Sequence, residues 1–374
     1  MAFMSSADRF KMSSTPSNVD RRGFLRDFGA LAATACLCGR SHAQGAPTSA
    51  TTAASNAQKP YRIDTHHHIL PPAFLAEERE RVMNASQGIN PDVIDGWTPR
   101  RSIDDMDKAG VATAVVSIST PGVYFGDVAQ GRRLARLCND YGAGLVRDFP
   151  GRFGMFAAIP LPDVEGSLRE IEYALDTLKL DGIGLMTSYG DRWPGDHAFF
   201  PVFQELNRRK AVVYFHPTAP TCCDSLVPNV SSALIEYPTD TTRCAASLAV
   251  NGVFSKCPDI RFIFSHGGGS LPTFAARLDR LFTRVKTISE NLPNGALYEF
   301  KRQYYDVVAT TNPSTMAGLT KFVPTSQILL GGDFPYRPAA EEVQGLRKLE
   351  LFSETELRAI ERENALRLMP RLQG

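Results

Sequence analysis

The sequence predicts an α/β protein, a single (β/α)8 barrel. Three observations carry that reading. Eight short apolar runs rich in β-branched residues recur along the chain. Segments of helical spacing lie between them. Five of the seven histidines stand directly at the ends of those runs. The length of 374 residues suits one such barrel with additions.

The runs are Tyr61–Ile63, Ala112–Ile118, Phe153–Ile159, Gly182–Met186, Ala211–Phe215, Ile260–Phe264, Tyr304–Ala309 and Gln327–Leu330. They are nearly continuous rather than alternating, as in strands covered on both faces. In 163–179, Val164, Leu168, Ile171, Leu175 and Leu178 recur at steps of three and four, with Ser167 as a candidate N-cap. Segments 127–146 and 242–256 have the same pattern. Strand alternating with helix implies parallel strands joined by right-handed crossovers. A doubly wound open sheet is the alternative with the same alternation. Residues 71–100 break the rhythm with four prolines, and are expected to form a long loop with short helices over the barrel mouth.

Composition excludes several classes. With 41 Lys+Arg against 40 Asp+Glu and 43% hydrophobic residues, the chain is neither disordered nor a polyanion binder, so no nucleic-acid partner is expected. Residues 1–43 read as a twin-arginine signal peptide: Arg21-Arg22-Gly23-Phe24-Leu25, the apolar stretch Phe28 to Cys38, and Ser41-His42-Ala43 before the expected cleavage. The competing readings are an N-terminal amphipathic helix and a lipoprotein site at Cys36. Residues 44–60, rich in Ala, Thr, Ser and Pro, read as a flexible linker, and 61–374 as the barrel. Export through the twin-arginine route, with a periplasmic destination and no membrane association once the leader is cleaved, follows as an expectation. The remaining five cysteines are odd in number and without CxxC, which argues against a disulfide framework or a thiolate zinc site.

The chemistry is expected where strands end and loops begin. Strand one ends Asp64-Thr65-His66-His67-His68, strand five Phe215-His216-Pro217, strand six Ser265-His266-Gly267-Gly268-Gly269, and strand eight Gly331-Gly332-Asp333-Phe334-Pro335. His66 and His68, two apart on an extended segment, project to one side, and His67 faces the other way as a structural residue. With His216 and Asp333 they make a nitrogen/oxygen site for one divalent metal: imidazole suits zinc first, and the carboxylate broadens the choice to manganese or iron. Each residue alone has a blander reading, as a hydrogen-bonded core histidine or a turn former. Their joint placement argues against that. The three glycines after His266 lack a phosphate-loop signature and read as a close backbone approach where no Cβ fits.

In these segments, together with Asp104-Asp105-Met106-Asp107-Lys108-Ala109-Gly110-Val111 and Asn364-Ala365, the chain resembles the amidohydrolase superfamily over about Tyr61 to Pro370. More narrowly it resembles the branch of metal-dependent non-oxidative decarboxylases that act on aminocarboxymuconate semialdehyde, γ-resorcylate and 6-methylsalicylate. The resemblance implies a metal held by His66, His68, His216 and Asp333, with His266 as catalytic acid/base beside Asp333. It implies a homodimer in which Arg277 reaches a neighbour's site. Thr218 stands where the semialdehyde enzymes have Trp, and their substrate-binding Arg after strand one has no clear counterpart. The resemblance is therefore nearest the 6-methylsalicylate type, with a small aromatic carboxylic acid as substrate. Phe334, Met186, Trp193 and Tyr336 are the expected pocket walls. A metal-dependent lactone, ester or amide hydrolase, a hydratase, and a non-catalytic binding protein are the rival readings.

Overall fold

The structure, a computed structural model, describes residues 60–86 and 88–373. The expected leader and most of the expected linker lie outside the described residues. Eight strands form one sheet in chain order: β1 (Arg62–His68), β2 (Val111–Ser117), β3 (Phe153–Ala158), β4 (Gly182–Met186), β5 (Val212–His216), β6 (Arg261–Phe264), β7 (Tyr304–Asp306) and β8 (Ile328–Leu329). Every neighbouring pair is parallel. The ring is closed by backbone bonds between β1 and the chain just after β8. Thr65 N–H donates to Leu330 O at 2.9 Å and His68 N–H to Phe334 O at 2.7 Å. An open doubly wound sheet is thereby excluded, since it would leave two free edges.

The helices that matter for the site are α1 (Pro72–Ala85), α2 (Pro91–Asp95), α3 (Pro99–Ala109), α4 (Val128–Asp148), α5 (Val164–Glu172), α6 (Phe200–Arg208), α7 (Ser232–Val250), α8 (Val253–Lys256) and α9 (Leu271–Phe282). Three sequence expectations need correction here. The 163–179 helix is capped by Asp163, whose carboxylate accepts from Gly166 N–H, so Ser167 lies inside it. The helix expected over 242–256 starts at Ser232, because Ser231 caps it and Pro238 is accommodated inside; Gly252, in the left-handed region, then separates it from α8. Residues 71–100 hold the 14-residue α1 rather than mostly loop, with Pro72 at its first position, where the missing N–H costs nothing.

Two apolar layers result. Ile63, Val115, Phe156, Tyr214, Ile263 and Leu329, from six strands, fill the barrel interior. Ala365, Met369 and Leu372 of the C-terminal segment pack onto them. A second layer joins the outer strand faces to the helices, with Phe203, Phe254 and Phe300 fully buried. The packed interior leaves the carboxyl ends of the strands as the place for a site. Among the described residues no helix is long and apolar enough to cross a membrane.

Candidate metal centre

His66, His68, His216 and Asp333 come together at the carboxyl ends of β1, β5 and β8. One ligand atom from each lies within 4.8 Å of the other three, and all four residues are buried. The alternation of β1 works as expected. His66 Nε2 and His68 Nε2 face each other at 3.0 Å, and each lies 3.2 Å from Asp333 Oδ1. His67 points away: its Nδ1 donates to Asp64 Oδ2 at 3.0 Å, its Nε2 meets Ser102 Oγ at 3.1 Å, and its ring stacks on Phe334.

The remaining ring nitrogens orient the ligands. His66 Nδ1–H donates to Asp306 Oδ2 at 2.8 Å and His216 Nδ1–H to Pro217 O at 2.9 Å, while His68 Nδ1 meets Ser117 Oγ at 3.2 Å. With Nδ1–H so committed on His66 and His216, their Nε2 lone pairs turn inward. Asp333 Oδ1 is buried without a hydrogen bond, beside two of these nitrogens. A buried carboxylate oxygen in that position calls for a cation, and three imidazoles with one carboxylate fit a divalent transition metal.

Electrostatics agree. Burial works against a charge on His66, but Asp306 and Asp333 outweigh it and raise its pKa to about 10. Burial pushes His68 down to about 4, and burial with the neighbouring imidazoles pushes His216 well below the ordinary histidine range. Burial would raise Asp333, yet His66, His266 and His68 hold it well below the usual carboxylate range.

His266 Nε2 stands 3.8 Å from Asp333 Oδ2, on the side away from the buried Oδ1. Both residues have positive φ, 54° and 67°. Such backbone is strained for non-glycine residues and persists only where neighbours enforce it. Here His266 N–H donates to Asp306 Oδ1 at 2.8 Å and Asp333 N–H to His66 O at 2.6 Å. The glycine run after His266 behaves as read from the sequence. A Cβ on Gly269 would sit 2.3 Å from Pro238 O, and one on Gly268 2.7 Å from the Tyr305 ring.

A cavity of about 570 Å3 opens over His216, His266 and Asp333. Of the five expected substrate contacts, Tyr336 lines it. Three of the other four are corrected as follows. Met186 lines a separate cavity of about 240 Å3 at the ends of β2 to β5. Trp193 donates through Nε1 to Asp240 Oδ1 at 2.7 Å and so ties the loop after β4 to α7. Phe334 is taken up by His67. Arg277 is exposed on α9, and the neighbour's site it is expected to reach is not part of this single chain. Asp306 was missed, although a lone carboxylate in the apolar run Tyr304–Ala309 is itself a signal, because a buried charge needs partners. Arg337, which lines the cavity and pairs with Glu341 at 3.0 Å, and Tyr237 were also missed.

A family model described as amidohydrolase matches residues 63–371. The chain belongs to the amidohydrolase family. Decarboxylase yanB of Aspergillus niger is 37% identical to this amidohydrolase over 330 residues, covering 83% of the chain and 88% of the relative. The 6-methylsalicylic acid decarboxylase of Penicillium expansum is 34% identical, covering 84% and 97%. Among solved structures, a dihydroxybenzoic acid decarboxylase from Polaromonas, with bound manganese and the inhibitor 2-nitroresorcinol, superposes with a TM-score of 0.69 at 21% identity, covering 82% and 96%. That last likeness speaks for the fold of this amidohydrolase.

Proposed function

We propose that this amidohydrolase is a metal-dependent, non-oxidative decarboxylase of a small ortho-hydroxybenzoate of the 6-methylsalicylate type. The observation that carries the reading is the joint one: an intact His66, His68, His216 and Asp333 set beside His266, under a ring-sized cavity, in a chain 34–37% identical to curated decarboxylases.

Loss of CO2 from a benzoate needs an electron sink. A divalent ion in the centre would supply charge stabilisation for the substrate's carboxylate and phenolate oxygens. Asp333, itself held ionised, then relays to the ring carbon bearing the carboxylate a proton that His266, 3.8 Å away, supplies. The protonated ring is a dienone whose carbonyl is β to the carboxylate. Breaking the carbon–carbon bond sends its electron pair toward that carbonyl, releases CO2 and restores the aromatic phenolate. Three imidazoles favour zinc, and the manganese in the Polaromonas enzyme makes manganese the alternative.

Two further parts of the reading rest on the sequence. The protein is exported by the twin-arginine route to the periplasm, and it acts as a homodimer. Phe274 and Leu281, both more than a third exposed on the helix that bears Arg277, support the second.

The test is incubation of metal-loaded protein with 6-methylsalicylate and related ortho-hydroxybenzoates. CO2 release is expected. Hydrolysis of lactones, esters or amides without any CO2 from these acids would replace the reading with that of a hydrolase.

A further inference from the structure

A second cavity, of about 240 Å3, lies beside the metal cavity at the ends of β2 to β5. The two are lined from the same loops. After β2, Ser119 and Thr120 line the metal cavity while Ile118 and Pro121 line the second. After β5, the ligand His216 belongs to the first and Thr218, two residues on, to the second. The boundary carries a threonine pair: the Thr120 and Thr218 hydroxyls share a hydrogen bond of 2.9 Å. The barrel interior links the two as well. Phe156, in the lining of the second cavity, stacks on Tyr214 with 5.2 Å between centroids, and Tyr214 stands edge-on to the metal ligand His66 at 5.4 Å.

The lining determines what the second cavity takes. Ile118, Val123, Phe156, Ile159, Leu161 and Met186 supply apolar walls, and among the described residues no charged side chain lines it. Its four polar side chains are already engaged. Tyr124 Oη donates to Gly126 O at 3.3 Å and Ser188 Oγ to Asp240 Oδ2 at 2.8 Å, Tyr189 Oη accepts from Met186 N–H at 3.1 Å, and Thr218 is bonded to Thr120. A polar ligand finds few partners there, whereas dry apolar cavities of about 150 Å3 hold a molecule the size of benzene. The backbone of Thr218 is fixed from the other side: its N–H donates to Thr187 Oγ1 at 3.1 Å, and that hydroxyl donates to Asp240 Oδ2 at 2.6 Å. Rotation of the two threonine side chains therefore opens the boundary without moving the backbone. Resting on the decarboxylase reading above, we infer that the second cavity is an alkyl subsite. It takes the chain at ring position 6 of the substrate, so the preferred acids are 6-alkylsalicylates with a chain of about three to five carbons rather than a methyl group.

The test uses the metal-loaded full chain. Turnover is compared for 6-methyl-, 6-propyl- and 6-pentylsalicylate. Calorimetry measures binding of their decarboxylation products, 3-methyl-, 3-propyl- and 3-pentylphenol. Gly184→Leu and Ala158→Leu fill the cavity from β4 and β3. A Cβ on Gly184 meets its nearest neighbour, Phe156 Cβ, at 3.5 Å, so the strand accepts a side chain there. Metal content and melting temperature are measured alongside. The propyl or pentyl member should show a KM, and its phenol a Kd, about tenfold or more below those of the methyl member. The gain should fall below about threefold in at least one variant that keeps its metal. Equal or weaker binding of the longer members by the wild type overturns the inference, as does a gain that survives in both variants. If the phenols show the gain but no acid releases CO2, the subsite stands and the decarboxylase reading falls. If the methyl acid releases CO2 and lengthening brings no gain, the reverse holds. If no acid and no phenol binds, both fall.

Discussion

Asp306 joins the metal centre to His266, the proposed acid/base residue. Its Oδ2 accepts from His66 Nδ1–H at 2.8 Å, while its Oδ1 accepts the backbone N–H of His266 at 2.8 Å and that of Val308 at 3.1 Å. One buried carboxylate thus fixes the tautomer of His66 and the positive-φ backbone of the neighbouring His266.

Asp306→Ala should therefore weaken metal binding about 10–100-fold without removing any ligand. Chelator competition followed by metal analysis measures this. Unchanged affinity would show that His66 is oriented by the barrel alone.

His66→Ala and Asp333→Ala remove ligands and should leave the purified protein with markedly reduced metal occupancy. Chelator treatment of the wild type should likewise abolish activity, and added zinc or manganese should restore it. Full occupancy in either variant would remove that ligand assignment.

His266→Ala separates catalysis from coordination. Its imidazole faces Asp333 Oδ2 at 3.8 Å and is not among the four converging ligands. Metal content should stay near wild type while kcat falls about 10²–10⁴-fold. Loss of the metal in this variant would mean that His266 is itself a ligand.

The pH dependence follows from the imidazoles. In the metal-free protein His66 is raised to about 10 and holds its second ring proton at pH 7, whereas His68 at about 4 and His216 are neutral imidazoles and Asp333 is ionised. Metal binding near pH 7 should displace about one proton, that of His66, and affinity should rise about tenfold per pH unit up to about pH 10. Calorimetry in buffers of different ionisation enthalpy counts the proton. Because the folded pKa of His66 lies above its unfolded value, the metal-free protein has this stabilisation in full below about pH 6.5 and loses it as pH rises through about 10. Its melting temperature should fall over that window, with a smaller fall in the metal-loaded protein.

Gly269→Ala tests the close approach behind the site. With φ at +62° and a Cβ position 2.3 Å from Pro238 O, alanine meets both backbone strain and a main-chain clash. Destabilisation by more than about 1 kcal/mol is expected in denaturant melts. A stability equal to wild type would show that α7 can move away freely.

Much of this molecule is local and therefore legible in the linear chain. The apolar runs predicted eight strands, with ends that differ by a few residues from those observed. The two-residue period of β1 predicted that His66 and His68 share a side while His67 does not, because an extended backbone turns each side chain by half a revolution. His216 and Asp333 were legible for a related reason: in a barrel every strand end faces the same rim, so residues following an apolar run meet there whatever their separation in sequence. The substrate wall obeys no such rule. Met186, Trp193 and Phe334 had the right chemistry at the right rim, but side-chain direction and partners decided otherwise: a neighbouring cavity, Asp240 and His67 took them. Ser86, Ser119 and Tyr336 line one cavity only because the end of α1 and the segments after β2 and β8 meet there after folding. The sequence alone determined the barrel and its metal ligands, because strand periodicity and strand order are local. Only the tertiary structure decided Asp306's double role and the lining of the cavity, because packing and pairing of buried polar groups depend on segments that meet only after folding.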